Sequence, residues 1–217
     1  MRSFIEYLTA PGTVEALTEQ GIEHIKLVGI SVILATIIGV SLGIVAHRSS
    51  LLRHPIMNTL SLLLTIPSLA FFALLLPLVG IGDTAPIIAL TCYALLPIAR
   101  NTLAGLVSVD PAVVESGRGM GMSNTQRLLQ MELPVAWPVI LTGIRVASQL
   151  TVGIAAVAVL IGGSGLGDEI YSGIRRLGSV GAFEALLGGT LAILVIALLL
   201  DGLFLVIGRL TTSKGLQ

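Results

Sequence analysis

A chain of 217 residues that is 54% hydrophobic and only 11% charged, with a mean hydropathy of +0.99, has too few charges to coat a water-exposed surface. Soluble domains carry about 25% charged residues, so most of this surface must face lipid. The 12 basic and 12 acidic residues sum to zero, giving no basic face for a nucleic acid, and the single cysteine, Cys92, excludes an internal disulfide and a cysteine metal site.

The head, 1–24, carries Glu6, Glu15, Glu19 and Glu23. These break up the apolar run that would have to follow closely on the basic start of a secretory signal. Beyond it, five stretches reach the ~20 apolar residues of a bilayer crossing: 27–46, about 57–78 within the uncharged run 55–82, 84–107, 137–161 and 185–208. The predicted fold is therefore an all-α membrane protein of five transmembrane helices, with an extracytoplasmic head at 1–24, a membrane domain at 25–210, a loop at 108–136 inside it and a tail at 211–217.

Basic residues favour the cytoplasmic side. With the N-terminus outside, Arg48, Arg53, Arg100, Arg118, Arg127, Arg209 and Lys214 fall inside, against Arg2, Lys26, Arg175 and Arg176 outside. That bias predicts N-terminus out and C-terminus in.

Small residues at four-residue spacing, Gly39 with Gly43 and Gly143 with Ala147, allow close helix approach, within one subunit or at a dimer interface. Pro67, Pro77, Pro86 and Pro97 interrupt the second and third spans. Broken helices are tolerated where protein or a cavity covers the freed backbone, which makes Pro67, and with it Phe71, Phe72 and Tyr93, candidates for lining a path. Core packing is the alternative for all of them.

The 108–136 loop is the informative segment. Asp110-Pro111 reads as an N-cap with proline at the first helical position, starting a short helix that runs to about Arg118. Gly119 and Gly121 break it; Ser123, with Gln126 three residues on, forms a capping box for a second short helix. That helix is expected to end near Glu132, because Pro134 disfavours helical backbone before it. Leu128, Leu129 and Met131 supply apolar surface and Arg118, Arg127 and Glu132 supply charge, which suits either docking into a partner's groove or an amphipathic loop on the membrane surface.

Glu115-Ser116-Gly117, then Gly121, Met131 and Leu133-Pro134, resemble at matching spacing the cytoplasmic signature of ABC importer permeases, Glu-Ala-Ala, three residues, Gly, nine residues, Ile, one residue, Leu-Pro. The departures are Ser116 and Gly117 for alanines and Met131 for isoleucine. The resemblance covers about 27–209. It implies that Glu115, Ser116, Gly117, Gly121, Arg127, Leu133 and Pro134 belong to a coupling helix seated in a cleft of a separate ATPase, present in two copies. It also implies a second permease copy or paralogue and an extracytoplasmic substrate-binding protein, all at the bacterial cytoplasmic membrane. A second resemblance, of Ile161-Gly162-Gly163-Ser164-Gly165-Leu166-Gly167-Asp168 and of the stretch from Leu133 to Arg145, is to osmoprotectant permeases, which carry glycine betaine, choline or carnitine; methionine permeases end the same span similarly.

No phosphate-binding Gly-x-x-x-x-Gly-Lys-Ser/Thr occurs, and Lys26 and Lys214 are the only lysines, so neither an ATPase site nor a cofactor is expected on this chain. Gly162-Gly163-Ser164-Gly165 also fits the pattern of an intramembrane serine protease, but His24, His47 and His54 all lie early in the chain, where that family does not place its base. Two charges lie deep: Arg145, eight residues after Trp137, and Asp201, eight before Arg209. Both therefore sit about 12 Å from the inner face, at ~1.5 Å per residue. Equal depth predicts a pair, either neutralising itself between helices or gating the path. With 4% aromatic residues, no high-affinity ammonium cage is expected. Selectivity is expected to reside in a separate binding protein, since no binding domain is expected on the chain.

Overall fold

The computed structural model describes residues 4–211, and every regular element in that range is helical. Arg2, Lys214 and the expected tail, apart from Thr211, lie outside the described residues. A short α1 (Phe4–Leu8) precedes α2 (Thr13–Arg48), with Gly12 in the left-handed region at φ 84° making the turn. α2 is 36 residues long, about 54 Å at ~1.5 Å per residue. That exceeds the ~30 Å hydrocarbon core, so the second half of the head, from Thr13, and the first span form one continuous helix.

The second span is interrupted at Pro67, one of the four prolines that the sequence marks as interruptions. It consists of α3 (Ser50–Thr65) and α4 (Ser68–Val79), bent by 98°. Proline restricts the residue before it to extended backbone, and Ile66 is accordingly extended (φ −67°, ψ 127°) ahead of Pro67. The other prolines do not break their helices: Pro86 lies in the first turn of α5 (Thr84–Val107), and Pro77 and Pro97 lie inside α4 and α5. At Pro97 the neighbours Leu96, Ile98 and Ala99 are buried, and packing on both sides outweighs the local penalty of ~3 kcal/mol.

The loop follows as α6 (Pro111–Gly119) and α7 (Asn124–Arg127), then a π-helical turn (Leu128–Glu132) leading without interruption into α8 (Leu133–Ala155). The expectation that Pro134 ends the second short helix is therefore corrected. Pro134 sits at the start of α8, and the π-turn just before it, with Leu133 N–H bonded to the Leu128 carbonyl, widens the helix and accommodates the proline. α8 tightens into a 3₁₀ turn (Ala156–Ile161), followed by the glycine-rich turn, α9 (Gly167–Arg175) and α10 (Ala182–Thr211).

Connectivity counts the crossings. At one end Arg48 Nη2 donates to the Asn124 carbonyl and Trp137 Nε1 to Thr211 Oγ1. At the other, Asp83 accepts from Ser164, and Tyr7 donates to Glu169. The bent α3–α4 pair therefore runs from one end to the other, and α2, α3–α4, α5, α8 and α10 make five traversals.

The core is built around α5, which packs most extensively on α2 and α8. A β-carbon on Gly43 would lie 2.5 Å from Thr102 Cβ, and one on Gly143 would lie 2.6 Å from Asn101 Cβ. Both small-residue pairs thus serve packing within the subunit. α10 leaves much of its apolar length uncovered, with Leu194, Leu198, Leu199 and Leu203 exposed.

Candidate coupling loop and translocation path

The loop's capping follows the sequence. Asp110 accepts from the Ala112 N–H at 2.8 Å. Ser123 and Gln126 close both bonds of the capping box, at 3.3 and 2.9 Å. Gly121, at φ 75°, supplies the left-handed turn between α6 and α7, whereas Gly119 is the last residue of α6. Glu115, Ser116, Gly121 and Pro134 are exposed, Arg127 and Leu133 are half-buried, and Gly117 is buried.

Gly117 has a packing reason for departing from alanine: a β-carbon there would lie 2.7 Å from Met131 Sδ and 3.2 Å from Arg127 Cγ. α6 therefore presses onto the two side chains that follow it. Of the three apolar residues predicted to form a surface, only Leu129 is exposed. Leu128 is buried and Met131 half-buried, because the π-turn directs them back onto the bundle. Exposed Met120, not foreseen in the sequence, lies in the turn after α6. Between this loop and α5 lies a cleft of ≈ 450 Å³, with His47, Arg118, Arg127 and Glu132 among its walls.

In the spans, Arg145 and Asp201 do pair, as a two-pronged contact: Nε to Oδ1 at 2.5 Å and Nη2 to Oδ2 at 2.6 Å. Gln149 Nε2 adds a bond to Asp201 Oδ1 at 2.6 Å. Gln149 lies one helical turn from Arg145, a signal present in the sequence but not used. Arg145 also lines a groove of ≈ 280 Å³ between α8 and α10, together with Thr142, Phe204 and Arg209.

Around the bend, Tyr93 Oη donates to the Ile66 carbonyl at 2.8 Å, and Phe71 packs edge-on against Tyr93 with ring centroids 5.7 Å apart. Tyr93 and Phe72 are fully buried within the subunit. Pro67 makes the bend itself.

At the opposite end, Ser164 donates from its N–H (2.8 Å) and its hydroxyl (2.9 Å) to the Asp83 carboxylate. His24, fully buried on α2, packs against Gly165, with its Nε2 3.1 Å from the Val152 carbonyl. No local pattern around His24 marks it as reaching the glycine-rich turn, 141 residues further along the chain. Ser164 is nonetheless committed to Asp83 and His24 to Val152, so no serine–histidine pair is formed. Tyr7 Oη donates to Glu169 Oε1 at 2.6 Å. Burial, together with that carboxylate, raises the Tyr7 phenol above its ordinary range.

Comparison with known proteins agrees with this architecture. Residues 35–213 match the family model described as the binding-protein-dependent transport system inner membrane component. The chain is 42% identical over 200 residues to the osmoprotectant import permease protein OsmW of Salmonella typhimurium, covering 90% of this chain and 91% of the relative. It is 36% identical to the choline transport system permease protein OpuBB of Bacillus subtilis, covering 100% and 97%. Among solved structures, the inward-facing MetNI methionine ABC transporter superposes with a TM-score of 0.83 at 21% identity, over 94% of this chain and 100% of that one, a likeness of fold. The chain belongs to the inner-membrane components of binding-protein-dependent transport systems, the permease subunits of ABC importers.

Proposed function

We propose that this chain forms the translocation path of an ATP-driven importer of quaternary-amine osmoprotectants, in the class of glycine betaine, choline and carnitine. The observation that carries the substrate class is 42% identity across nine-tenths of the chain to an osmoprotectant import permease. The protein works as a pair, with a second copy or a paralogue completing the path. Two ATPase subunits sit on the cytoplasmic side and a binding protein delivers solute from outside.

The coupling element is the α6–α7 loop, with Glu115, Ser116, Gly117, Gly121, Arg127, Leu133 and Pro134. Its support is the exposed charged and apolar rim of Glu115, Arg118, Met120 and Leu129 on a capped, glycine-hinged frame. ATP binding closes the ATPase pair, draws the loops together and rocks the spans. Arg145 lies on the groove between α8 and α10 and is paired with Asp201, so a change of that pairing would gate the path. The N-terminus faces outward and the C-terminus inward, in keeping with Arg48, Arg53, Arg118 and Arg127 gathered at one end of the bundle.

The test is ATP-dependent uptake of labelled glycine betaine, choline and carnitine by the complex in proteoliposomes, with methionine as the competing solute. Uptake of methionine alone would overturn the substrate class. Labelling of a cysteine at position 115 from outside the cell would overturn both the orientation and the coupling role.

A further inference from the structure

We propose that Glu132 is a positioning residue for transport: a buried carboxylate hub that makes the coupling loop and the inner end of the first span move as one body. The inference rests on the coupling reading above and extends it to two residues outside the signature, Glu132 and His47.

Glu132 is the last residue of the π-turn, where widening of the helix directs it inward; its side chain is only 8% exposed. Each carboxylate oxygen meets a different element. Oε1 accepts from Arg127 Nε at 3.0 Å, and Oε2 lies 3.7 Å from His47 Nε2, near the end of α2. A second tie runs alongside, from Arg48 Nη2 to the Asn124 carbonyl at 3.2 Å. On the other side, α6 bears on Met131 and on the Arg127 stem through Gly117, where no β-carbon fits. A continuous line of contact thus runs from α6 through Arg127 and Glu132 to α2.

Removing one partner from a buried carboxylate is far more costly than parting an exposed pair. A push on α6 reaches Glu132 through Arg127, and α2 follows through the His47 contact with the same carboxylate and the parallel Arg48–Asn124 hydrogen bond. Through α2, which packs along most of α5, the displacement reaches the core of the bundle. π-turns recur at functional sites, and this one orients the hub.

The experiment uses the whole complex of permease, ATPase and binding protein, reading labelled glycine betaine transported per ATP hydrolysed, alongside the thermal midpoint of the complex. Glu132→Gln keeps the shape and an acceptor for Arg127 but removes the charge. We expect an assembled complex that hydrolyses ATP yet transports roughly tenfold less solute per ATP, within the ~5–150-fold range of coupling between sites. His47→Gln, at the more open edge of the hub, gives a smaller fall, and the double variant is no worse than Glu132→Gln. A wild-type transport ratio in Glu132→Gln, or effects that multiply in the double variant, would overturn the hub. Should Glu132→Gln fail to assemble, His47→Gln decides by the same ratio: a fall supports the hub and a wild-type value overturns it. Failure of the unaltered chain to bind the ATPase or import solute would instead overturn the coupling reading itself.

Discussion

Replacing Gly43 with alanine measures how tightly α2 and α5 are locked. The added β-carbon would lie 2.5 Å from Thr102 Cβ, 2.7 Å from Thr102 Cγ2 and 2.9 Å from the Ala99 carbonyl oxygen. Carbon atoms rest at about 3.5–4.0 Å, so the shortfall is roughly 1 Å. Neither neighbour can turn aside: Thr102 is fully buried with its hydroxyl bonded to the Ile98 carbonyl, and the Ala99 oxygen is backbone. The helices must part, at a cost in the upper half of the ~1–3 kcal/mol usual for overpacking. Better helix propensity returns about 1 kcal/mol, leaving a net loss of about 1–2 kcal/mol. Gly39 meets Ile98 Cγ2 at 2.9 Å and Cβ at 3.0 Å, on a fully buried side chain, and Gly29 meets nothing within 4 Å. Gly39→Ala should therefore destabilise, though less than Gly43→Ala because its contacts are longer, and Gly29→Ala should gain up to ~1 kcal/mol. Thermal unfolding of the three purified variants in detergent, followed by loss of the monodisperse size-exclusion peak, gives the ranking. A Gly43→Ala protein as stable as Gly29→Ala would refute the close packing.

Exchanging the charges in an Arg145→Asp, Asp201→Arg double variant should restore the assembly lost in either single variant, read as yield of folded protein from membranes; a double variant as poor as the singles would exclude a pairwise role. Tyr93→Phe strands the Ile66 carbonyl at the bend while keeping the ring against Phe71. It should lower stability by about 1–3 kcal/mol, and an unchanged thermal midpoint would mean that Pro67 alone holds the bend. Ser164→Ala removes the hydroxyl from the Asp83 clasp, and should cost about 1 kcal/mol without abolishing uptake; abolition would revive a nucleophilic role for Ser164.

Composition and local rules determine much of this protein. Apolar runs of bilayer length locate the spans, and the caps at Asp110 and Ser123 form as read, because each depends on residues within one helical turn. Equal depth also sufficed to pair Arg145 with Asp201, since a membrane aligns helices along one axis and turns sequence distance into height. What the sequence leaves open depends on neighbours distant in the chain. Pro67 bends its span and Pro97 does not, because Tyr93 meets the backbone at the first while buried packing encloses the second. Pro134 looks like a helix end until the π-turn before it makes room. His24 reaches Val152 across 128 residues, and Glu132 meets His47 only once α2 and the loop are brought together. Such contacts arise from the close approach that small residues permit between helices, a property of surfaces in three dimensions that residue order alone does not carry.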